Sequence, residues 1–127
     1  MNELKLIDEL NAENGSFILE LRTELNWNHN SFINLVNKLN KEFKNTKNEK
    51  KLDREIACGI WYISNFIKDW SQHKNFPKKL TKEYYAKSYE LINDLAYQYF
   101  MAESIDESEN TIEKKIEEIK TICQQRV

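Results

Sequence analysis

Apolar side chains recur three and four residues apart in six segments of the chain, with polar residues between them. This spacing places the apolar side chains on one face of an α-helix. The six stripes are Leu4, Ile7 and Leu10; Phe17, Leu21 and Leu25; Phe32, Leu35, Val36, Leu39 and Phe43; Ile56, Ile60, Ile63, Ile67 and Trp70; Tyr85, Ser88, Ile92, Leu95 and Tyr99; and Ile112, Ile116, Ile119 and Cys123. The pattern predicts an all-α fold, a compact single-domain bundle of five or six helices spanning residues 1–127.

The fourth stripe lies in IACGIWYISNFIKDW, residues 56–70, where apolar and aromatic residues extend almost around the helix. Asp53 can cap its first turn, and Pro77 prevents the helix from continuing. A helix that is apolar on nearly all sides is typical of the middle of a bundle, so we predict a central helix over residues 53–71. Gly59 costs about 1 kcal/mol relative to alanine inside a helix, and it indicates close approach of a neighbouring backbone.

Two segments are distinguished by their polar residues. KNTKNEKK, residues 44–51, has no apolar side chain to bury and is predicted to be a lysine-rich internal loop. Residues 106–127 are predicted to form an amphipathic, acidic C-terminal helix, because Asn110 and Glu113 are spaced as in a capping box and a narrow apolar stripe follows. Such a helix packs at the periphery of a bundle or against a partner.

Composition favours helices and excludes several kinds of site. The 127 residues include two Gly and one Pro, too few for the turns of an all-β fold or for a glycine-rich phosphate loop. Cys58 and Cys123 lack the spacing of a zinc knuckle or a redox pair, and we expect both to be buried thiols in a reducing compartment. No window reaches the roughly 18 apolar residues of a membrane span, and the first residues lack a secretory signal. We therefore expect a cytoplasmic protein without a metal ion or cofactor.

Charge is segregated along the chain although the net charge is only −2. Residues 38–51 hold six Lys and two Glu, residues 74–87 hold five Lys and one Glu, and residues 101–120 hold seven acidic residues and three Lys. Opposite blocks of this kind pair within the fold or complement a charged partner. The small net charge argues against a dedicated DNA-binding protein.

Asp69 and His73 stand four residues apart at the end of the predicted central helix, where a carboxylate can orient an imidazole or share a metal ion with it. The same spacing suits a structural hydrogen bond at a helix end, where a histidine is favourable. His29 is the only other histidine, and two ligands do not complete a zinc site. We therefore predict no metal site and keep this pair, with Tyr62, as an alternative small-ligand or catalytic site.

Arg22 and His29 lie in RTELNWNH, with six residues between them. This R-x6-H spacing resembles the short signature of HEPN ribonucleases, which are also small α-helical proteins. The resemblance implies an RNA-cleaving enzyme in which His29 acts as general acid or base and Arg22 stabilises a phosphorane-like charge. In that family the motif usually lies later in the chain and acts across a dimer, whereas here it lies early, with a tryptophan in the spacer.

Aromatic residues are concentrated between residues 61 and 100, at more positions than one seam between two helices can bury. Because exposed tyrosine and tryptophan are enriched at protein interfaces, we expect a non-enzymatic protein-interaction module. The specific expectation is a small inhibitor of the immunity or antitoxin type that occludes a basic toxin or nuclease. Its predicted contact residues are the aromatic anchors Trp70, Tyr84, Tyr85 and Tyr89 and the steering acids Glu107, Glu109, Glu113 and Glu117. An alternative is a nucleic-acid-binding subunit of a larger complex that uses the lysine blocks and the aromatic residues.

Overall fold

The computed structural model of the chain describes residues 4–103 and 111–124 and confirms the predicted all-α fold. Within these ranges the chain forms six helices and no strand. The helices are α1 (Leu6–Leu10), α2 (Phe17–Glu24), α3 (His29–Thr46), α4 (Arg54–Ser71), α5 (Lys82–Met101) and α6 (Thr111–Cys123). They pack as a small bundle in which α5 contacts α3, α4 and α6, while α4 contacts α1, α2 and α5.

Side-chain caps define where four of the helices begin. Ser16, Asn28, Asp53 and Thr81 each occupy the N-cap position with an extended backbone, and each side-chain oxygen accepts a hydrogen bond from the backbone N–H three residues later. The bonds measure 3.1–3.2 Å. Each cap satisfies one of the backbone donors that the first turn of a helix leaves without an intrahelical partner.

The core is formed by the inner faces of α2 to α6 and by Leu10 of α1. Its largest fully buried side chains are Phe17, Ile18, Leu21, Phe32, Leu35, Ile60, Ile63, Ile67, Tyr84, Leu91, Leu95 and Ile119. Helix α5 contributes the most buried positions, since three other helices cover it. Helix α6 docks on α5 through Ile112, Ile116 and Ile119, so its apolar stripe is used inside the fold.

The helix predicted over residues 53–71 is confirmed as α4, but its surroundings differ from the expectation. Only Ile60, Ile63, Ile67 and Ser71 of α4 are buried. Because α1, α2 and α5 lie against one side of α4, its opposite side faces solvent with large aromatic residues. The outer side of this helix is therefore open although apolar residues extend almost around it, and Cys58, which was expected to be buried, is exposed.

The predicted loop and the predicted C-terminal helix have different boundaries in the structure. Helix α3 continues to Thr46, so the first three residues of the segment 44–51 are helical, with polar side chains on the solvent side of the last turn. Helix α6 accounts for the described part of the predicted helix over 106–127. The remainder of that prediction, at residues 106–110 and 125–127, lies outside the described residues.

Gly59 is the point at which α1 approaches α4. An ideal Cβ at this position would lie 2.9 Å from both Cβ and Cδ1 of Leu10, so the neighbour that the sequence indicated is a side chain rather than a backbone. The Gly59→Ala substitution gains about 1 kcal/mol of helix propensity, whereas overpacking typically costs about 1–3 kcal/mol. We expect the variant to have a lower midpoint of urea unfolding.

The Leu10→Ala background provides the control for this prediction. This change removes Cγ and Cδ1 of Leu10 but keeps its Cβ, which lies 2.9 Å from the added methyl group, so the cost of Gly59→Ala should shrink without disappearing. A Gly59→Ala chain that is more stable than the original would show that Leu10 does not press on α4.

Candidate functional site

Three aromatic rings form a ladder along the outer side of α4. Tyr62, Phe66 and Trp70 are spaced by four residues, the spacing that brings side chains together on one face of a helix. The rings of Tyr62 and Phe66 are stacked with centroids 5.5 Å apart and an interplanar angle of 14°, and those of Phe66 and Trp70 are stacked at 5.4 Å and 21°. Trp70 Nε1 donates a hydrogen bond of 3.0 Å to the Leu21 carbonyl oxygen, which fixes the ladder against α2.

The ladder and the adjacent Trp61 expose much apolar surface. Trp61 is 64% exposed, Tyr62 47% and Trp70 36%, while Phe66 is half-buried. We call Tyr62, Phe66 and Trp70, together with Trp61 on the neighbouring flank of the helix, the aromatic face of α4. A contiguous exposed apolar patch usually marks an interaction site, whereas single exposed apolar residues need no explanation.

The ladder ends at a small apolar notch between α4, the end of α2 and the segment that follows α4. Leu25, Trp70, His73, Asn75 and Phe76 line this cavity of about 340 Å³. Leu25 caps the C-terminus of α2 in the left-handed conformation, with φ of 52°. Glycine or asparagine normally occupies such a position, because a side chain there is strained. The fold thus holds an exposed leucine beside Trp70 at a conformational cost.

The segment that contains α4 and the residues on either side of it carries unpaired positive charge. Residues 50–79 include seven basic and three acidic side chains, a net charge of +4, in a chain whose net charge is −2. The basic residues are Lys50, Lys51, Arg54, Lys68, Lys74, Lys78 and Lys79, and all are exposed. None of them belongs to an ion pair within residues 4–103 and 111–124, whereas Lys38, Lys44, Lys87, Lys115 and Lys120 do.

Tyr84 and Tyr85, predicted as partner anchors, are core residues. Tyr84 is fully buried and Tyr85 almost so. Their rings pack edge to face with each other, at 5.6 Å, and against Trp27, at 5.9 and 5.2 Å. The prediction that they are exposed is wrong, because the segment before α3 folds over α5 and places Trp27 on both rings.

A polar network secures Tyr84 inside this core. Trp27 Nε1 donates a hydrogen bond of 2.9 Å to the Tyr84 hydroxyl oxygen, and the same hydroxyl is hydrogen-bonded to His29 Nδ1 at 2.8 Å. Burial raises the pKa of the Tyr84 hydroxyl above its ordinary value, and the hydrogen bond from Trp27 offsets only part of that rise. The hydroxyl therefore stays neutral and serves as a hydrogen-bonding partner for two aromatic side chains.

Tyr89 is half-buried between α4 and α5 and is only partly available as a partner anchor. Its hydroxyl is hydrogen-bonded to Ser71 Oγ at 2.6 Å, and its ring is stacked on Tyr85 at 6.3 Å. Burial raises the pKa of the Tyr89 hydroxyl. Of the four predicted aromatic anchors, Trp70 alone is exposed.

Arg22 and His29, the pair that resembles the HEPN signature, lie in different parts of the surface. Arg22 is exposed in the last turn of α2. His29 is half-buried at the start of α3, contacts Tyr84, and lines a cavity with Ile33, Lys120 and Cys123, in which Arg22 takes no part. Within one copy of the chain, the two side chains are not brought to a common site.

Asp69 and His73 are not paired either. Two side chains four residues apart lie together only if both belong to the same helix. Helix α4 ends at Ser71, and His73 lies beyond that end. His73 Nδ1 accepts a 3.2 Å hydrogen bond from the Asn75 backbone N–H and lines the notch, whereas Asp69 lines a separate groove between α4 and α5. Both side chains are exposed, and no hydrogen bond or ion pair joins them in the described part of the chain.

The predicted steering acids are in part committed to the fold. Glu113 Oε1 accepts hydrogen bonds from Lys44 Nζ at 2.7 Å and from Asn40 Nδ2 at 3.2 Å, and the bond from Lys44 lowers the pKa of the Glu113 carboxyl. Glu117 is exposed and pairs with Lys120 on the same helix. Glu107 and Glu109 lie outside the described residues. The acidic and basic blocks of the sequence thus pair within the fold, through Lys44–Glu113 and Lys87–Glu118.

Trp61, Tyr62 and Phe66 are absent from the partner anchors that the sequence predicted, although Tyr62 was placed in the alternative site with Asp69 and His73. The signal was present, since a helix with apolar residues on nearly all sides must either be enclosed or expose some of them. Helical spacing from the stripe at Ile60, Ile63 and Ile67 places Tyr62 on the opposite side of α4. The sequence pattern did not indicate how many neighbours would cover that side.

Metal ligands, membrane-spanning helices and similarity to known proteins each bear on the kind of site. The residues that the structure describes include no group of three or more His, Cys, Asp or Glu able to ligate a metal ion. Among the same residues, no helix combines the length and the apolar character needed to cross a membrane. Comparison of this chain with protein-family models, with curated proteins and with solved structures finds no match.

Proposed function

We propose that this chain is a non-enzymatic protein-interaction module that binds another protein through the aromatic face of α4. The observation that carries the proposal is the stacked ladder of Tyr62, Phe66 and Trp70 along one side of α4, with the exposed Trp61 beside it. Tryptophan and tyrosine are the residue types most enriched among interface hot spots. Their large rings also lose little conformational entropy on binding, because each has only two side-chain dihedral angles.

The arrangement of the rings supports binding without rearrangement. The stacking of Tyr62 on Phe66 and of Phe66 on Trp70 orders the side chains before a partner arrives, and the hydrogen bond from Trp70 to Leu21 anchors one end. A preformed surface of this kind avoids part of the ordering cost of association. The notch beside Trp70 adds a concave site for one apolar side chain of the partner.

In this proposal the module acts by occlusion, as an inhibitor of the immunity or antitoxin type. A rigid helical face that covers a surface of its partner blocks access to that surface and requires no chemistry of its own. The contact lies on α4 rather than on the tyrosines of α5, which support the core. The proposal therefore places the blocking surface at Trp61, Tyr62, Phe66 and Trp70.

The Trp61→Ala/Tyr62→Ala variant tests the proposal. Both residues are exposed, so the fold should remain intact. Each hot-spot ring contributes about 2 kcal/mol or more, and the double variant should bind its partner at least about a hundredfold more weakly. The partner would be captured from native lysate with the intact chain, identified, and used in calorimetric titrations against each variant.

Tyr97→Ala/Met101→Ala is the matched control. These two side chains are similarly exposed, at the C-terminal end of α5, and their replacement should leave the affinity within about threefold. Equal losses in the two double variants, or no loss in either, would overturn the proposal. Circular dichroism and urea unfolding of both variants check that the helices are retained.

A further inference from the structure

We infer that α4 pairs with the α4 of a second copy of this chain, with the two helices side by side and parallel. The inference goes beyond the proposed function, because it requires no other protein. Three features of α4 carry it, namely the period of its exposed residues, the self-complementary charges at the two ends of that surface, and the two large rings at its centre.

The exposed residues of α4 recur with a period of seven. Pairs of adjacent exposed residues begin at Arg54, Trp61 and Lys68, and a single exposed residue lies between one pair and the next. We call this surface the heptad face, which consists of Arg54, Glu55, Cys58, Trp61, Tyr62, Asn65, Lys68 and Asp69. Trp70 is the one exposed residue of α4 outside this pattern. A period of seven keeps one face of a helix turned toward a second helix along its length, as in a coiled coil.

The heptad face lies opposite the core side of α4. At about 100° per residue, the midpoint between Trp61 and Tyr62 is directed away from the buried stripe of Ile60, Ile63 and Ile67. Helices α1, α2 and α5 pack on the core side, and no helix in the described part of the chain covers the heptad face. An exposed surface with large apolar rings at its centre usually marks an interaction site.

The charges at the two ends of the heptad face are self-complementary. In a parallel pair related by a twofold axis along the helices, Arg54 lies next to Glu55 of the second copy, and Lys68 lies next to Asp69 of the second copy. The symmetry repeats both contacts, so four ion pairs form. All four side chains are exposed, and none belongs to an ion pair in the part of the chain that the structure describes.

The groove between α4 and α5 leaves these charges available. Lys68 and Asp69 line that groove together with Glu90, but Glu90 is paired with Lys115 of α6. The four charges of the heptad face sum to zero, so the face has no net attraction for a phosphate backbone or an anionic membrane. This balance favours a second copy, on which every charge meets its opposite.

Trp61 and Tyr62 supply the apolar centre of the contact. The same symmetry sets Trp61 beside Tyr62 of the second copy, twice, and removes both rings from water. Asn65 lies next along the line of contact. Its Nδ2 donates a hydrogen bond of 2.8 Å to the Trp61 carbonyl oxygen, and its Oδ1 and second N–H are placed to bond Asn65 of the second copy. A single asparagine at such a position specifies the register of paired helices.

An antiparallel pair of the same faces is disfavoured. Reversal of one helix brings Arg54 beside Lys68 of the second copy and Glu55 beside Asp69 of the second copy, and like charges in contact repel. The two arrangements also place Cys58 differently. In the parallel pair the two Cys58 side chains face each other, whereas in the antiparallel pair they lie about 10 Å apart along the helices.

The contact is small, since one helix face of each copy takes part. Interfaces of standard size have dissociation constants from the micromolar to the picomolar range, and a smaller one belongs at the weak end, so we expect a Kd above about 1 µM. Well below that concentration the chain is a monomer in which Cys58 reacts freely. A partner protein on Trp61 and Tyr62 competes with the second copy, so the dimer is a reserve of the free chain.

Sedimentation equilibrium of the full chain tests the inference, with loading concentrations from about 1 µM to about 1 mM. Arg54→Glu/Lys68→Glu leaves only acidic charges on the heptad face and should raise the Kd of the dimer at least about tenfold. Lys41→Glu/Lys114→Glu makes the same change in net charge at exposed positions on α3 and α6, and it should change the Kd by less than about threefold. A chain that is monomeric throughout, or equal effects of the two pairs, would overturn the inference.

A complementary variant guards against a general effect on folding. Glu55→Lys/Asp69→Lys leaves only basic charges on the heptad face and should weaken its own dimer as Arg54→Glu/Lys68→Glu does. An equimolar mixture of these two variants should form a heterodimer at least as stable as the original dimer, because the opposite charges then meet. A mixture that stays monomeric would overturn the inference. Circular dichroism checks that both variants keep their helices.

Oxidative cross-linking tests the parallel arrangement. A disulfide requires Cα atoms about 4.4–6.8 Å apart, so copper phenanthroline and oxygen should link Cys58 to Cys58 in the dimer, and Cys58→Ser should give no covalent dimer. A sedimenting dimer that gives no Cys58 disulfide would overturn the parallel pairing.

The inference and the proposed function fail separately. If the chain stays monomeric while Trp61→Ala/Tyr62→Ala weakens binding of the natural partner, this inference fails and the proposed function stands. If the chain dimerises as expected while that variant binds the natural partner normally, the proposed function fails and this inference stands.

Discussion

The Glu9→Ala variant is expected to lose about 3–5 kcal/mol of unfolding free energy. Glu9 is buried in α1, where its Oε2 accepts a hydrogen bond of 2.8 Å from Lys38 Nζ and its Oε1 accepts one of 3.2 Å from the Phe17 backbone N–H. Glu9→Ala leaves the half-buried Lys38 ammonium without its partner and the buried Phe17 N–H, the first of α2, without its acceptor. The two losses together cost about 3–5 kcal/mol. For a domain of ordinary stability this is a large fraction of the total, and urea unfolding measures it.

Two controls isolate the buried pair. Glu13→Ala removes an exposed carboxylate four residues after Glu9 and should change the unfolding free energy by less than about 0.5 kcal/mol. Glu9→Leu/Lys38→Met replaces both charges with apolar side chains and should recover much of the lost stability. A Glu9→Ala chain as stable as Glu13→Ala would contradict the burial of Glu9 between α1, α2 and α3.

The Tyr84→Ala variant is expected to lose a comparable amount, about 3–5 kcal/mol, because it deletes one of the largest fully buried side chains. Tyr84→Phe separates the contribution of the hydroxyl from that of the ring. Without the hydroxyl, Trp27 Nε1 loses its acceptor inside the core, and a buried unsatisfied donor costs about 1–3 kcal/mol. Thermal and urea unfolding of both variants give the two values.

Tyr62→Ala is the matched control for Tyr84→Ala. It removes a ring of the same chemistry from the exposed face of α4, and we expect a loss of less than about 1 kcal/mol in stability. We therefore expect the substitution of Tyr84 to lower stability and the substitution of Tyr62 to weaken binding. A Tyr84→Ala chain with unchanged stability and weakened binding would restore the sequence-based assignment of Tyr84 as a partner anchor.

The fold was largely predictable from the sequence because each helix carries its own local signals. The apolar spacing indicated all six helices, and the cap at Asp53 indicated the start of α4. The end of α3 was not predicted, since a polar segment such as 44–51 is compatible with both a loop and the exposed side of a helix. The position of α4 in the bundle was also missed, because coverage by α1, α2 and α5 is a property of the packing and not of the helix itself.

The candidate site was predictable only in part. Composition indicated an excess of aromatic residues, and of the four predicted aromatic anchors Trp70 is exposed. Helical spacing alone did not separate Tyr84 and Tyr85 from Tyr62, because burial of the first two depends on Trp27, which is 57 residues away from Tyr84 in the chain. The sequence also did not show whether the charge blocks pair within the fold or face a partner. In the structure, Lys44 forms an ion pair with Glu113, so these two residues pair within the fold.

The reactivity of Cys58 tests the proposed binding face most directly. Cys58 is exposed one helical turn before Tyr62 on α4, whereas Cys123 is buried. In the free chain, a thiol-alkylating reagent should modify Cys58 rapidly and Cys123 only after unfolding. When the natural partner saturates the chain, the alkylation rate of Cys58 should fall at least about tenfold. At lower partner concentrations, the rate should fall in proportion to the bound fraction. An unchanged alkylation rate of Cys58 in the saturated complex would contradict the placement of the partner on the aromatic face of α4.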